Sequence, residues 1–198
     1  MCFMKKVITS IVLLLCIGTL IFIFYKTITK DISPKFTFDK SENYTGFSDL
    51  PKDYTIEDAE DDGYFVTKDL SFVANKDVWD NFVKASSRKK NTSIRIVSFY
   101  TEDNKGPYFK DLFYQDGYYY MYDSSATTEK KEEKVPFSYM LVLKQDLSDY
   151  WKPLSMIVLT NDKTLTFEKL DKAMLSCNSE ALKSVWPYRI VTIRKGEN

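Results

Sequence analysis

The sequence predicts an α+β domain: a largely antiparallel sheet with two or three packed helices, preceded by one N-terminal transmembrane helix. Three observations predict it. Residues 7–25 (VITSIVLLLCIGTLIFIFY) carry no charge. Beyond them, apolar residues recur at alternating periods, helical in some stretches and two-residue in others. An Asp-Gly pair, Asp116-Gly117, sits between two Tyr-rich runs, the strongest hairpin signal in the chain.

The apolar run comes first. At ~1.5 Å rise per residue, a helix over 7–25 nearly covers a hydrocarbon core of ~30 Å. Lys5 and Lys6 flank it on one side, Lys26 and Lys30 on the other. A cleaved signal peptide has an apolar region of about 7–15 residues and a small-residue cleavage site. This run is longer, and the residues after Phe24 are Tyr-Lys-Thr-Ile-Thr-Lys. A lipoprotein signal needs a small residue before its cysteine, whereas Cys16 follows Leu13, Leu14 and Leu15. The reading adopted is an uncleaved signal-anchor, and a secreted domain released by signal cleavage is the alternative. The short basic tail, 1–6, is placed in the cytoplasm, and the domain faces outside. Residues 26–52 then read as a spacer, with Phe36 and Phe38 available to dock on a sheet, and 53–198 as the extracytoplasmic domain.

Composition bounds that domain. All of the charge in residues 1–30 is four Lys, so the remainder holds 24 basic against 28 acidic residues. A mildly acidic domain lacks the basic face that nucleic acid requires. Cys2 and Cys16 lie before or within the apolar run, leaving Cys177 alone in the domain, so no disulfide within the domain is expected. This cysteine usage suits the surface of a Gram-positive bacterium, and 24 Lys against 4 Arg is in keeping with an AT-rich genome. Asn43-Tyr-Thr45 and Asn91-Thr-Ser93 match the glycosylation pattern by chance in that setting. There is no histidine. That removes the commonest general base, the usual metal ligand and any Ser-His or Cys-His pair.

The elements follow in order. Residues 54–63 form a short helix in which Thr55 caps, Asp58 stands three positions on, and Gly63 supplies a left-handed stop. Residues 64–67 and 70–74 read as short strands. Residues 76–87 form a second helix with Val78, Trp79, Phe82 and Val83 on one stripe, ended by Arg88-Lys89-Lys90-Asn91. Residues 93–100 (SIRIVSFY) read as a central strand, with Ile94, Ile96 and Ser98 on one face and Arg95, Val97 and Phe99 on the other. The hairpin spans 108–114 and 118–124. Residues 125–134 read as a charged loop; 136–144 and 155–160 as strands; 166–176 as an amphipathic helix capped by Thr164 or Thr166; 179–185 as a further helical turn; and 188–194 as a closing strand. Runs of strands separated by helices, rather than strict alternation, argue for α+β.

The residues Tyr54-Thr-Ile-Glu-Asp-Ala-(x3)-Gly63, the helix around Trp79 and Phe82, and Ser93-Ile-Arg95-Ile-Val-Ser98-Phe-Tyr-Thr-Glu102 carry a resemblance. This Y-T-x-E-x-A-x-x-x-G start resembles that of a domain-of-unknown-function family of Gram-positive bacteria, whose members look like secreted, lipoprotein or membrane-anchored proteins. The similarity covers about 53–124 and extends toward 176. Two departures stand out: Tyr64 where the family commonly has Asp, and Thr101-Glu102-Asp103 where it tends to Gly-Asp-Pro. The resemblance implies a fold and a cell-surface address, and no catalytic residue.

Candidate chemistry is sparse. The run Glu57, Asp58, Glu60, Asp61, Asp62 lacks the spacing of a calcium loop and reads as a solvated helix. Glu102 and Asp103, with Asp111, Asp116 and Asp123, offer carboxylates for glycoside hydrolysis, which needs two of them ~5–9 Å apart. Cys177 has no cationic partner that would make it a thiolate nucleophile and reads as a small buried hydrophobe. Tyr118, Tyr120 and Tyr122 share one strand face, with Tyr119 and Met121 on the other, giving a candidate aromatic surface for glycan or peptide; cross-strand pairs that hold the hairpin are the plainer account. No catalytic residue, cofactor or metal is assigned. The expectation is a non-catalytic binding module at the bacterial cell surface, partnered by an envelope protein or wall glycan. The alternative is a cell-wall hydrolase built on Glu102 and an acidic partner. An enzyme should place two carboxylates in one concave pocket, and a binder should expose an aromatic patch.

Overall fold

The computed structural model describes residues 33–51, 53–102, 106–125, 134–144, 155–176, 179–185 and 188–192. The expected membrane segment at 7–25 lies outside the described residues, as do Asp103, Cys177 and most of the loop at 125–134. Among the described residues no helix is long and apolar enough to cross a membrane. They all belong to one compact unit, Ser33–Asn198.

The architecture is α+β. Helix α1 (Ile56–Asp61) leads into strands β1 (Phe65–Lys68) and β2 (Ser71–Ala74), then α2 (Lys76–Ser87), β3 (Thr92–Phe99), β4 (Tyr108–Gln115) and β5 (Tyr118–Asp123). These five strands form a sheet in the order β2-β1-β3-β4-β5. Every neighbouring pair is antiparallel except β1 and β3, which run parallel because α2 carries the chain back across the sheet. Strands β6 (Tyr139–Lys144), β7 (Ser155–Thr160) and β8 (Tyr188–Thr192) form a second antiparallel sheet, with α3 (Phe167–Leu175) and α4 (Ser179–Val185) between β7 and β8. The structure therefore has two sheets where one was expected. A backbone bridge joins them: Tyr119 N donates to the Phe137 carbonyl (2.8 Å) and Phe137 N donates to that of Tyr119 (2.9 Å). Ile157 and Leu159 of β7 also share a core with Phe65, Ile94 and Leu112 of the first sheet.

Local chemistry accounts for the element ends. Thr55 accepts from Asp58 N while the Asp58 carboxylate accepts from Thr55 N (2.9 Å), a complete capping box. Gly63 takes the left-handed φ of 77° that closes α1. Helix α2 starts without a side-chain cap. Asn75 adopts a left-handed φ of 59°, and its Nδ2 donates to the carbonyls of Glu60 and Tyr64, tying α2 to the end of α1. In the hairpin, Asp116 and Gly117 have φ of 53° and 91°, the backbone a primed turn requires. Thr166 caps α3 by accepting from Lys169 N.

The five-stranded sheet is covered on both faces. On one face Ile94, Ile96, Leu112 and Met121 meet Phe65, Phe82 and Phe137, with Val78, Trp79 and Val83 of α2 packed on them. On the other, Val66, Val97 and Phe109 meet Ala59, and beside them Phe113, Tyr120 and Tyr122 meet Tyr44. Residues 33–50, read from sequence as a spacer, supply that second cover. The segment folds back on itself through the Phe38–Tyr44 bridge and lays Phe36, Phe38, Tyr44 and Phe47 on the sheet. It is part of the domain's core, so the expected domain start at 53 falls too late.

Candidate functional site

The candidate aromatic surface resolves into one exposed ring and two buried ones. Tyr118 is 45% exposed, whereas Tyr120 and Tyr122 are 9% and 1% exposed. Alternation did place all three on one face, but Phe36 stands 4.9 Å from Tyr120, and Tyr44 stacks on Tyr122 at 4.0 Å with a 14° interplanar angle. Both faces of β5 are thus occupied, and Tyr120 and Tyr122 are core residues. Burial pushes the Tyr122 phenol well above its ordinary value, so it stays protonated.

Beneath the same cover lies a buried ion pair. Arg95 of β3 faces Asp111 of β4 across the antiparallel register. Its Nε donates to Asp111 Oδ1 (2.7 Å), and its Nη2 donates to Asp111 Oδ2 (2.6 Å) and to the Gly46 carbonyl (2.7 Å). Tyr44 OH donates to Asp111 Oδ2 (2.6 Å). The guanidinium lies 5.8–5.9 Å from the ring centres of Phe47, Tyr64 and Phe109. Burial raises the Asp111 carboxyl above its usual value, against the opposing pull of Arg95 and Tyr44. Burial and then the Asp111 charge push the Tyr44 phenol up. With Asp111 wholly inaccessible and bonded by both Arg95 and Tyr44, this network fastens the 33–50 segment to the sheet.

A concave feature formed by described residues lies elsewhere. Where β1 and β3 end, β4 begins and β5 finishes, a cleft of about 860 Å³ opens between Asp69, Tyr100, Thr101, Glu102, Tyr108, Lys110 and Ser125. The volume lies within the ~300–1,000 Å³ range of small-ligand sites. The β1–β2 turn supplies Asp69, held at φ 49° beside Leu70 at 66°. Its two oxygens accept from Thr101 N (2.8 Å) and Thr101 Oγ1 (2.6 Å), which locks one rim to the other. Tyr100 and Tyr108 meet edge to face at 5.7 Å. Burial, then the charges of Asp123 and Asp69, raise the Tyr100 phenol. Lys110 Nζ pairs with Asp123 Oδ2 at 3.4 Å, and Asp123 Oδ1 in turn accepts from Ser125 N and Oγ.

Of the carboxylates singled out in the sequence, Glu102 lines this cleft and Asp123 stands behind it through Lys110 and Ser125. Asp111 is consumed by Arg95, and Asp116 lies at the far end of the hairpin, bonded to Asn91. Two members of the acidic run are likewise engaged: Asp58 closes the capping box and Asp62 accepts from Tyr54 OH. Sequence reading missed Asp69 and the Tyr100–Tyr108 pair. The available signal was a polar residue in the two-residue connection between strands, together with aromatics at facing strand ends.

No family model matches this chain, and neither a curated protein nor a solved structure matches it.

Proposed function

We propose that the chain is a single-pass membrane protein of the Gram-positive cell surface. Its outward-facing domain is a non-catalytic binding module of the surface-protein family that its start motif resembles. The uncharged stretch at 7–25 supports the anchor, and the cleft at the ends of β3, β4 and β5 carries the binding reading. Two tyrosine rings, two hydroxyl side chains, one amine and two carboxylates converge there on an open concavity. A ligand-binding surface needs this mixture of rigid aromatic area and orienting polar groups. Asp69 commits both its oxygens to Thr101, a use that shapes the wall rather than moves a proton.

The test has two parts. A tag after Asn198 should be removed by protease from intact cells while the untreated protein keeps its full mass. Purified protein should sediment with isolated cell walls, and Tyr108→Ala should weaken this about tenfold. A protease-protected tag sinks the surface reading; wall association indifferent to Tyr108 sinks the cleft.

One observation favours a second reading, the wall hydrolase: Asp69 and Glu102 line the same cleft. Release of new reducing ends from cell walls, lost in Glu102→Gln, would establish it in place of the binder.

A further inference from the structure

We infer that the cleft takes an uncharged, polyhydroxylated ligand: the sugar backbone of a wall glycan rather than an anionic polymer, a cationic peptide or a lipid. The inference rests on reading the cleft as a binding site and adds the class of ligand. Charge comes first. Glu102 and Asp69 are both acidic, and the one cation among the described lining residues, Lys110, already faces Asp123 at 3.4 Å. A phosphate-bearing polymer would meet two carboxylates and an amine whose charge is already offset, an unfavourable juxtaposition.

A cationic peptide is attracted by the net charge, but the two oxygens of Asp69 already accept from the Thr101 amide and hydroxyl, which leaves Glu102 as the carboxylate to hold it. An apolar ligand would strip water from two carboxylates, an ammonium and several hydroxyls without replacing their hydrogen bonds, which is costly for each group.

A sugar ring answers both kinds of surface in the cleft. Its hydroxyls donate to a carboxylate such as Glu102 and to the hydroxyl oxygens of Thr101 and Ser125, whose own protons go to Asp69 and Asp123. Its C–H face lies on an aromatic ring, and Tyr offers that area at small entropic cost because it has only two side-chain torsions. The edge-to-face packing of Tyr100 and Tyr108 fixes one such ring plane in advance. The exposed rim residues Thr101, Glu102 and Ser125 surround it with polar groups at the solvent boundary.

The experiment titrates the full chain, in mild detergent, with three probes: tetra-N-acetylchitotetraose, poly(glycerol phosphate) and tetralysine. Binding is followed by backbone and tyrosine-ring NMR shifts. Saturable binding of the tetrasaccharide is expected, with shifts at Tyr100, Thr101 and Tyr108. Tyr108→Ala and Glu102→Gln should each weaken it about tenfold, as the loss of one strong contact would, while Tyr108→Phe keeps the ring and most of the affinity. Glu102 is exposed, so its variant tests the site even where Tyr108→Ala disturbs folding. Binding of either charged polymer in preference to the sugar overturns the ligand class. If walls are bound through Tyr108 but the tetrasaccharide is not, the class falls and the binding-module reading stands. If neither is bound, both fall.

Discussion

Replacing Arg95 with Met should be the most damaging single substitution in the domain, and the reason is what it leaves behind. The Asp111 carboxylate is wholly inaccessible, with two bonds from Arg95 and one from Tyr44. Met fills the volume of the Arg stem but leaves Asp111 buried with a single neutral donor. Breaking a buried pair on one side costs about 3–5 kcal/mol. Tyr44→Phe removes only the phenol bond and leaves the ion pair intact, so about 1.5–3 kcal/mol is expected. In the double variant Arg95→Met/Asp111→Leu no charge remains to be stranded. Apolar replacement of a whole buried pair is often neutral or better, so most of the loss should be recovered. At about 2–4 °C per kcal/mol for a chain of this size, Arg95→Met should lower Tm by roughly 6–20 °C. Thermal unfolding followed by near-ultraviolet circular dichroism reports the tyrosine environment directly. A double variant as unstable as the sum of the Arg95→Met and Asp111→Leu single variants would refute this account, because the cost would then come from lost packing and not from an uncompensated charge.

Three further outcomes follow from the same structure. A chain beginning at Asp53 lacks Phe36, Phe38, Tyr44 and Phe47. A fully buried aromatic contributes roughly 4–6 kcal/mol at ~25 cal/mol per Å², and half of that for each of four rings rivals a whole domain's ~5–15 kcal/mol. The truncated chain should therefore bind 1-anilinonaphthalene-8-sulfonate and lack dispersed NMR signals, whereas a chain from Ser33 should show them. Gly46→Ala places a methyl group inside the Tyr44 hydroxyl and ring, so a loss of about 1–3 kcal/mol is expected in urea unfolding, with little further loss when Tyr44→Phe is added. Hydrogen bonds hold the carboxyls of Asp39, Asp58 and Asp162 below their ordinary 3.8, through Asn43, Thr55 and Thr164 respectively. A lowered native value means stability that is present above about pH 4 and drains away as pH falls through the lowered values. Acid unfolding of Thr55→Ala should show a shallower loss of stability over that window than the parent protein.

Much of the fold was legible because its signals are local. The Thr55–Asp58 box, the Gly63 stop, the stripe on α2 and the Asp116-Gly117 turn each lie within a few residues, and each is observed where it was expected. The division into two sheets was not legible. It depends on Phe137 pairing with Tyr119 by two backbone hydrogen bonds, and nothing in the sequence around Pro136 marks where one sheet gives way to the next. The segment at 33–50 was read as a spacer for a related reason. Phe36 and Phe38 are too few to set a strand period, because the segment pairs with itself only at the Phe38–Tyr44 bridge and is otherwise fixed by side chains seated on another element.

The same physics explains why the tyrosine face misled and the cleft was missed. A period of two assigns Tyr118, Tyr120 and Tyr122 to one side of β5, but cannot say what lies over that side. The answer sits about 80 residues earlier in the chain, in Phe36 and Tyr44. Likewise Asp69 and Thr101 are 32 positions apart and meet only because β1 and β3 run side by side in parallel register, ending together at Lys68 and Phe99. That parallel pair is the one departure from antiparallel pairing in the five-stranded sheet. It brings the β1–β2 turn beside the start of the β3–β4 connection and so creates the rim of the cleft. A pairing between strands 31 residues apart, which no local signal marks, therefore builds the candidate site.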